Sequence, residues 1–257
     1  MTNPILQLQL PGIVRSLKTS EGQNLLCIEH VDVQSSIPHY DVFDLEKGLS
    51  VAGHISPKKN RNLVLKAITD RYIILNEYHD GQNPDKATVI VFDFERKTIV
   101  WEKENFVALE VTNGTIRAPH PHFENRFSHW DIENGLIVEE PEKTMRTTNK
   151  SEYFPLFYPD TSEHFVWFVK HIAEATGHQA VVCCEYLELT SIIVISYYFQ
   201  EDQGLTNNLL ILNLDGTTRE LINLGKNLKG IGKDTFFAIE KKLIFISDKN
   251  MLNVYEV

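Results

Sequence analysis

Three groups of side chains in this 257-residue chain have types and spacings that could do chemistry. The first lies in APHPHFENRFSHWD, which holds His120, His122 and His129. Alternate residues of a strand face one side, so His120 and His122 could share a metal such as zinc. Pro119 and Pro121 flank His120 and disturb a regular strand. No neighbouring cysteine or acidic cluster offers a third and fourth ligand, and the segment reads as an extended loop. The second group is Asp44, Asp93 and Asp131, with Asn213 in step. Two carboxylates can hydrolyse a glycosidic bond. These recur at equivalent turns, however, where the side chain accepts hydrogen bonds from the turn's own N–H groups, and turn capping explains the recurrence. The third group is the thiols Cys27, Cys183 and Cys184. In NLLCIEHV, Cys27 and Glu29 share a strand face, where a carboxylate raises a thiol pKa. The adjacent Cys183 and Cys184 point to opposite faces of their strand. All three read as small buried hydrophobes in a reducing compartment. The chain has no phosphate-binding glycine loop, G-x-S-x-G elbow, H-E-x-x-H helix or sialidase-type Asp box.

The elements that must carry these residues are hairpins. ATVIVFDFERKTIVWE, from Ala87 to Glu102, alternates apolar and polar, turns at ERKT and alternates again. The same plan recurs in YDVFDLEKGLSV, FSHWDIENGLIV and LLILNLDGTTREL. Aligned on Asp44, Asp93, Asp131 and Asn213, the copies are 49, 38 and 82 residues apart, and the last interval is about two periods. A hairpin unit with a period near 40 is the signature of four-stranded propeller blades. A longer match supports it. Tyr72–Thr98 aligns with Ser191–Thr218 as strand, long polar loop, strand and turn. Gly48 and Gly135, each four residues beyond the Asp, can take the positive φ that closes the hairpin.

Asp93 is followed eight residues on by Trp101, a spacing that resembles the blade motif of quinoprotein-like propellers. Ala52 and Glu139 stand where that Trp would fall in two other hairpins. The chain is thus similar to the β-propeller superfamily, with quinoprotein-like or WD40-like blades, and to bacterial propeller-like domains. The resemblance implies blade geometry over most of the chain and no cofactor site.

The expected fold is therefore all-β and propeller-like, a single domain over residues 1–257. Six blades are preferred, with five plus an insertion as the other count. PILQLQL should pair with Met251–Val257 and complete the last blade, which protects exposed sheet edges. An irregular insertion over about 141–178 contains helix start and stop signals at Asp160, Glu163 and Gly177, predicting a helix near 161–176. Phe165, Phe168, Val169, Ile172 and Ala173 share its apolar face. Trp167 falls on the polar face. Burial beneath a covering loop, with Glu139–Tyr153 as the candidate cover, is the favoured expectation, and an exposed interface anchor is the alternative.

Composition narrows the function. Apolar content of 42% with 14 Phe supports a folded core. The net charge of −10 and pI near 5.5 disfavour a nucleic-acid partner, and the short basic run SPKKNR reads as a solvated loop. No basic leader precedes the alternating amino-terminal stretch, and no run approaches the ~20 apolar residues of a membrane span. A cytoplasmic protein with no membrane partner and no cofactor is expected. Loops joining second to third strands should form the working face, since binding concentrates on loops held by a rigid scaffold. They carry Tyr78, His79, Asp80, Asp85, Tyr198, Phe199, Glu201 and Asp202. The expected function is an interaction or ligand-binding module for a protein or small ligand. A propeller-type hydrolase or lyase acting at a central-channel mouth is the alternative.

Overall fold

The structure is a computed structural model that describes residues 4–22, 25–79, 87–112, 114–120, 123, 126–141, 152–201 and 203–257. After β1 (Leu6–Gln9), the strands β2 (Ile13–Thr19), β3 (Leu25–Val31), β4 (Pro38–Asp44) and β5 (Leu49–Ile55) form a four-stranded antiparallel sheet. A second such sheet follows from β6 (Leu63–Ile68), β7 (Tyr72–Tyr78), β8 (Ala87–Asp93) and β9 (Thr98–Lys103). β10 (Glu110–Thr112), β11 (Thr115–Pro119), β12 (Phe127–Asp131) and β13 (Ile137–Val138) make a third. Then come β14 (Glu152–Tyr153), β15 (Leu156–Pro159), α1 (Phe165–Thr176), β16 (Ala180–Glu188), β17 (Ile192–Glu201), β18 (Gly204–Asn213) and β19 (Thr218–Leu228). The chain closes with β20 (Phe236–Ile239), β21 (Lys242–Ser247) and β22 (Met251–Glu256). In the four-stranded sheets the spatial order is the chain order, the meander of a propeller blade. The chain is all-β and propeller-like.

The residues divide into two compact units, Pro11–Asn149 and Met1–Leu10 with Lys150–Val257. In Pro11–Asn149 three sheets share two apolar layers. Cys27, Tyr40 and Val42 pack with Leu63, Ile73, Leu75 and Phe94, while Ile74, Val89 and Val91 pack with Phe106, Ile116 and Trp130. The hairpin turns are built as the sequence implies. Asp44, Asp93 and Asp131 each accept two backbone N–H groups of their own turn on Oδ1, at 2.8–3.0 Å. Gly48 and Gly135 have φ of 64° and 67°, and Lys97 takes the same place after Asp93 at φ 56°. Asn213 departs from the pattern: Asp215 caps that shorter turn, holding the Thr217 N–H at 2.9 Å. Trp101 fastens one sheet to the next. Its Nε1 donates to the Ile132 carbonyl at 2.7 Å, and a Cβ on Gly135 would come within 3.0 Å of the indole.

In the other unit β15–β19 form one sheet, and β1, β22, β21, β20 and β14 form another in that order. β1 runs antiparallel to β22 from Leu6↔Val254 to Gln9↔Met251, so the amino-terminal strand completes the carboxy-terminal sheet as expected. Five sheets form among the described residues. Among the described residues the sheets match the other count, five plus an insertion, and not the preferred six, because α1 does not stand in for missing strands. β15 and β16 pair directly on either side of it, from Leu156↔Tyr186 to Pro159↔Cys183. Phe165, Phe168 and Ile172 bury α1 against Cys184, Ile195, Tyr197 and Leu210 of that sheet. The helix begins at Phe165, later than its start signals suggest. The Asp160 N–H is held by the Val182 carbonyl at 2.8 Å, which extends the strand ladder past β15, and the N-cap is His164. Gly177 ends the helix at φ 77°, its N–H on the Ala173 carbonyl.

Candidate functional site

An inner strand of each of three sheets carries polar residues in one repeating phase. The fifth residues of β3, β7 and β17 are Glu29, Asn76 and Ser196, all buried. A buried polar group must find partners or lose about 1–3 kcal/mol, and each of these finds them in the next sheet. Glu29 Oε2 accepts the Leu65 N–H at 2.7 Å. Asn76 Oδ1 accepts the Ala108 N–H at 3.1 Å while its Nδ2 donates to the Ala108 carbonyl at 3.2 Å. Ser196 is 2.8 Å from Thr235 Oγ1, and buried Glu185 beside it accepts the Asp234 and Thr235 N–H groups. Burial pushes the Glu29 carboxyl up, against the pull of the Leu65 N–H and Arg15. Burial likewise raises Glu185, against its hydrogen bonds. These are joints between sheets.

The sixth residues, His30, Glu77 and Tyr197, stand one step nearer the loops that follow β3, β7 and β17. His30 Nε2 lies 2.7 Å from Asp41 Oδ2, and the other Asp41 oxygen holds the His54 N–H at 2.6 Å. The imidazoles of His30, His39 and His54 stack, with centroids 5.7 and 4.4 Å apart. Burial would raise the Asp41 carboxyl, but the hydrogen bonds from His30 and the His54 N–H outweigh it and hold it below the usual range. Glu77 is met by Lys58 Nζ at 2.9 Å and by Asn60 Nδ2, and Lys58 also reaches Glu102 at 2.7 Å. SPKKNR is thus not simply solvated: Lys58 closes an ion-pair triad with two carboxylates. The Tyr197 hydroxyl lies 2.8 Å from His178 Nδ1, and His178 stacks on Phe199 at 4.0 Å.

Of the loop residues singled out from sequence, Tyr78 ends β7 and His79 follows it, its Nε2 2.7 Å from Thr88 Oγ1. Phe199 and Glu201 end β17; Glu201 is exposed and accepts the Thr206 hydroxyl at 2.7 Å. Tyr198 is not on the surface. It is 2% exposed and its hydroxyl accepts the Gly232 N–H at 2.8 Å, because its phase on the strand points it into the unit. Asp80, Asp85 and Asp202 lie outside the described residues. So does His122; His120 stands beside Phe123 at 4.7 Å, its N–H on the Arg126 carbonyl. Among the described residues no group of three or more His, Cys, Asp or Glu could hold a metal. The thiols are buried, and burial first, then neighbouring acidic groups, push Cys27 well up and Cys183 to about 11. Burial takes Cys184 to about 12.

Trp167 is corrected from the favoured expectation. Its side chain is 50% exposed and Val166 beside it 75%, while Trp167 rests edge-on to Phe168 and over His171. A twelve-residue helix pinned by Phe165, Phe168 and Ile172 has no further inward face to give it. At the opposite ends of β6–β7 and β10–β13, a cleft of about 300 Å³ is floored by Ile68, Tyr72 and Ile132 and rimmed by Asp70 and Glu133.

The polar joints and the histidine stack were not foreseen. Their signals are present: one polar residue at the same phase of each apolar run, and His30 and His39 equidistant from the loop centre, which places them opposite one another.

No family model matches the chain, and no curated protein matches it. Among solved structures it is similar to the β-propeller domain of the Trilobed protease from Pyrococcus furiosus, with 13% identity over 94% of this chain and 78% of that one, TM-score 0.35. It is similar to Pyrococcus horikoshii acylaminoacyl peptidase at 11% identity, over 96% of this chain and 46% of that one, TM-score 0.32. A third similarity is to the Dos1 propeller at 12% identity, over 95% and 78%, TM-score 0.25.

Proposed function

We propose that the chain is an interaction module that engages a protein partner through exposed aromatic and apolar side chains on rigid propeller-like sheets. The observation that carries this reading is the outward side of α1, where Val166 and Trp167 stand exposed on a helix anchored from below. Aromatic side chains on a rigid support are favoured interface anchors. Tyr78, His79, Phe199 and Glu201 at the loop ends are further contact candidates. A hydrolase or lyase would need ionisable groups left for substrate, whereas Lys58, Glu77, Glu102, His30 and Asp41 are engaged with one another. The net charge of −10 supports a partner other than nucleic acid. Three reduced, buried thiols support a cytoplasmic setting, and no described helix is long and apolar enough to cross a membrane.

The test is native mass spectrometry of the gently purified protein beside its Trp167→Ala variant. A stoichiometric protein companion, either a second copy or another chain, that is lost in the variant supports the reading. A protein that is free of companions, or whose companion stays bound to the variant with unchanged affinity, overturns it.

A further inference from the structure

We propose that His30, His39 and His54 form a pH-sensitive latch that holds the β3–β4 loop and the bulge of β5 at neutral pH and releases them on acidification. The inference rests on one sheet and does not depend on the identity of any partner.

His30 and His39 face each other across β3 and β4, with interplanar angle 19°, and His54 of β5 continues the stack at 16°. His54 sits at φ 57°, where the register of β4 and β5 is broken. Its N–H is held there by Asp41, and its ring lies on His39. Above the stack the β3–β4 loop is closed by Asp32, whose Oδ1 takes the Gln34 and Ser35 N–H groups and whose N–H reaches the Ile37 carbonyl.

His30 is 1% exposed; with Nε2 on Asp41, its Nδ1 has no hydrogen-bond partner among the described residues, nor has His39 Nδ1. A proton placed on His39 Nδ1 would be buried without an acceptor. Gly12, just before β2, approaches so closely that a Cβ would stand 3.0 Å from His30 Nδ1. Arg15 of β2 lies by Glu29, whose side chain leaves the other face of β3. The charged groups facing His39 are therefore Asp32 and Asp41, which favour its proton, and His30 and His54, which oppose it. Burial comes first and, with the two histidines, holds His39 below the ordinary histidine range. An opened loop would titrate near 6.5. The open form then binds the proton first, and falling pH through this window favours opening.

Hydrogen exchange of the intact chain at pH 7.5 and 5.5, corrected for intrinsic rates, reads the latch. In the wild type, protection of amides over residues 32–40 and 53–55 should fall by up to about tenfold, the most that one histidine titrating near 6.5 when open can contribute between these pH values, with β8 as the unchanged reference. His39→Phe keeps a stacked ring that cannot titrate, and its protection should be alike at both pH values. Should that variant fail to fold, His54→Asn, which keeps His39 but removes one of the two histidines that oppose its proton, should lose less protection in acid than the wild type, since His54 is exposed and asparagine accepts positive φ. Wild-type protection unchanged by acid, or an undiminished acid loss in the folded variants, overturns the latch.

Discussion

Asp93 is one carboxylate with two tasks: Oδ1 closes its hairpin turn and Oδ2 takes Arg71, at 2.8 Å from both Nε and Nη2. Burial would raise its carboxyl, yet the Arg96 N–H and Arg71 outweigh burial and hold it below the usual range. Asp93→Ala should lower stability by about 1.5–3 kcal/mol, the scale of a charged hydrogen bond lost, measured by urea unfolding at pH 7. Because the folded pKa is depressed, this stabilisation is complete above the unfolded value near 3.9. It should vanish as pH falls through the folded value, so wild type and variant should converge at low pH. Glu29 behaves in the opposite sense. Its folded pKa is raised, so ionisation weakens the fold as pH rises past the unfolded value. Glu29→Gln, which keeps an acceptor for the Leu65 N–H, should be near wild type at pH 7. Glu29→Ala should lose about 1–3 kcal/mol by leaving that buried N–H unpaired. Equal losses in both variants would show that the hydrogen bond is not what Glu29 contributes.

At the scale of elements, β1 and α1 make contrasting demands. β1 covers the edge of β22, places Leu10 in the interior and sets Gln7 Nε2 on Asn253 Oδ1 at 3.0 Å. Removing residues 1–10 should cost at least the ~2–5 kcal/mol of a deeply buried leucine, and a melting curve like that of the full chain would contradict this account of β22. In α1 the stability lies in Phe165, Phe168 and Ile172. Trp167→Ala should stay within about 0.5 kcal/mol of wild type, as exposed positions do, whereas Phe168→Ala should lose about 3–5 kcal/mol. Thermal unfolding of the two variants side by side separates the outward face of the helix from its inward one.

For the whole molecule, the thiols report integrity. Cys27, Cys183 and Cys184 are fully buried on two different sheets, and burial suppresses their thiolates. Labelling with a disulfide reagent at pH 7.5 should be slow in the native protein and should reach three equivalents after unfolding. Rapid native labelling of Cys27 would mean that the β2–β5 sheet opens locally far below the global transition.

The sequence by itself determined the all-β class, the hairpin repeat, the Asp-capped turns and the pairing of the amino-terminal strand with the carboxy-terminal one. These rest on period-two alternation and on turn chemistry, both local and therefore written in short windows of residues. It left open the number of sheets, and the placing of Tyr198 on the loop face and of Trp167 beneath a cover did not survive. Whether α1 replaced strands or sat beside them depended on β15 meeting β16 across a long connection. Whether Glu29, Asn76 and Ser196 were tolerated in apolar strands depended on backbone groups of the following sheet. The stacking of His30, His39 and His54 required three strands in register and a bulge in one of them. A non-local partner decides each of these, because a buried polar side chain is stable only where tertiary structure brings it a complement.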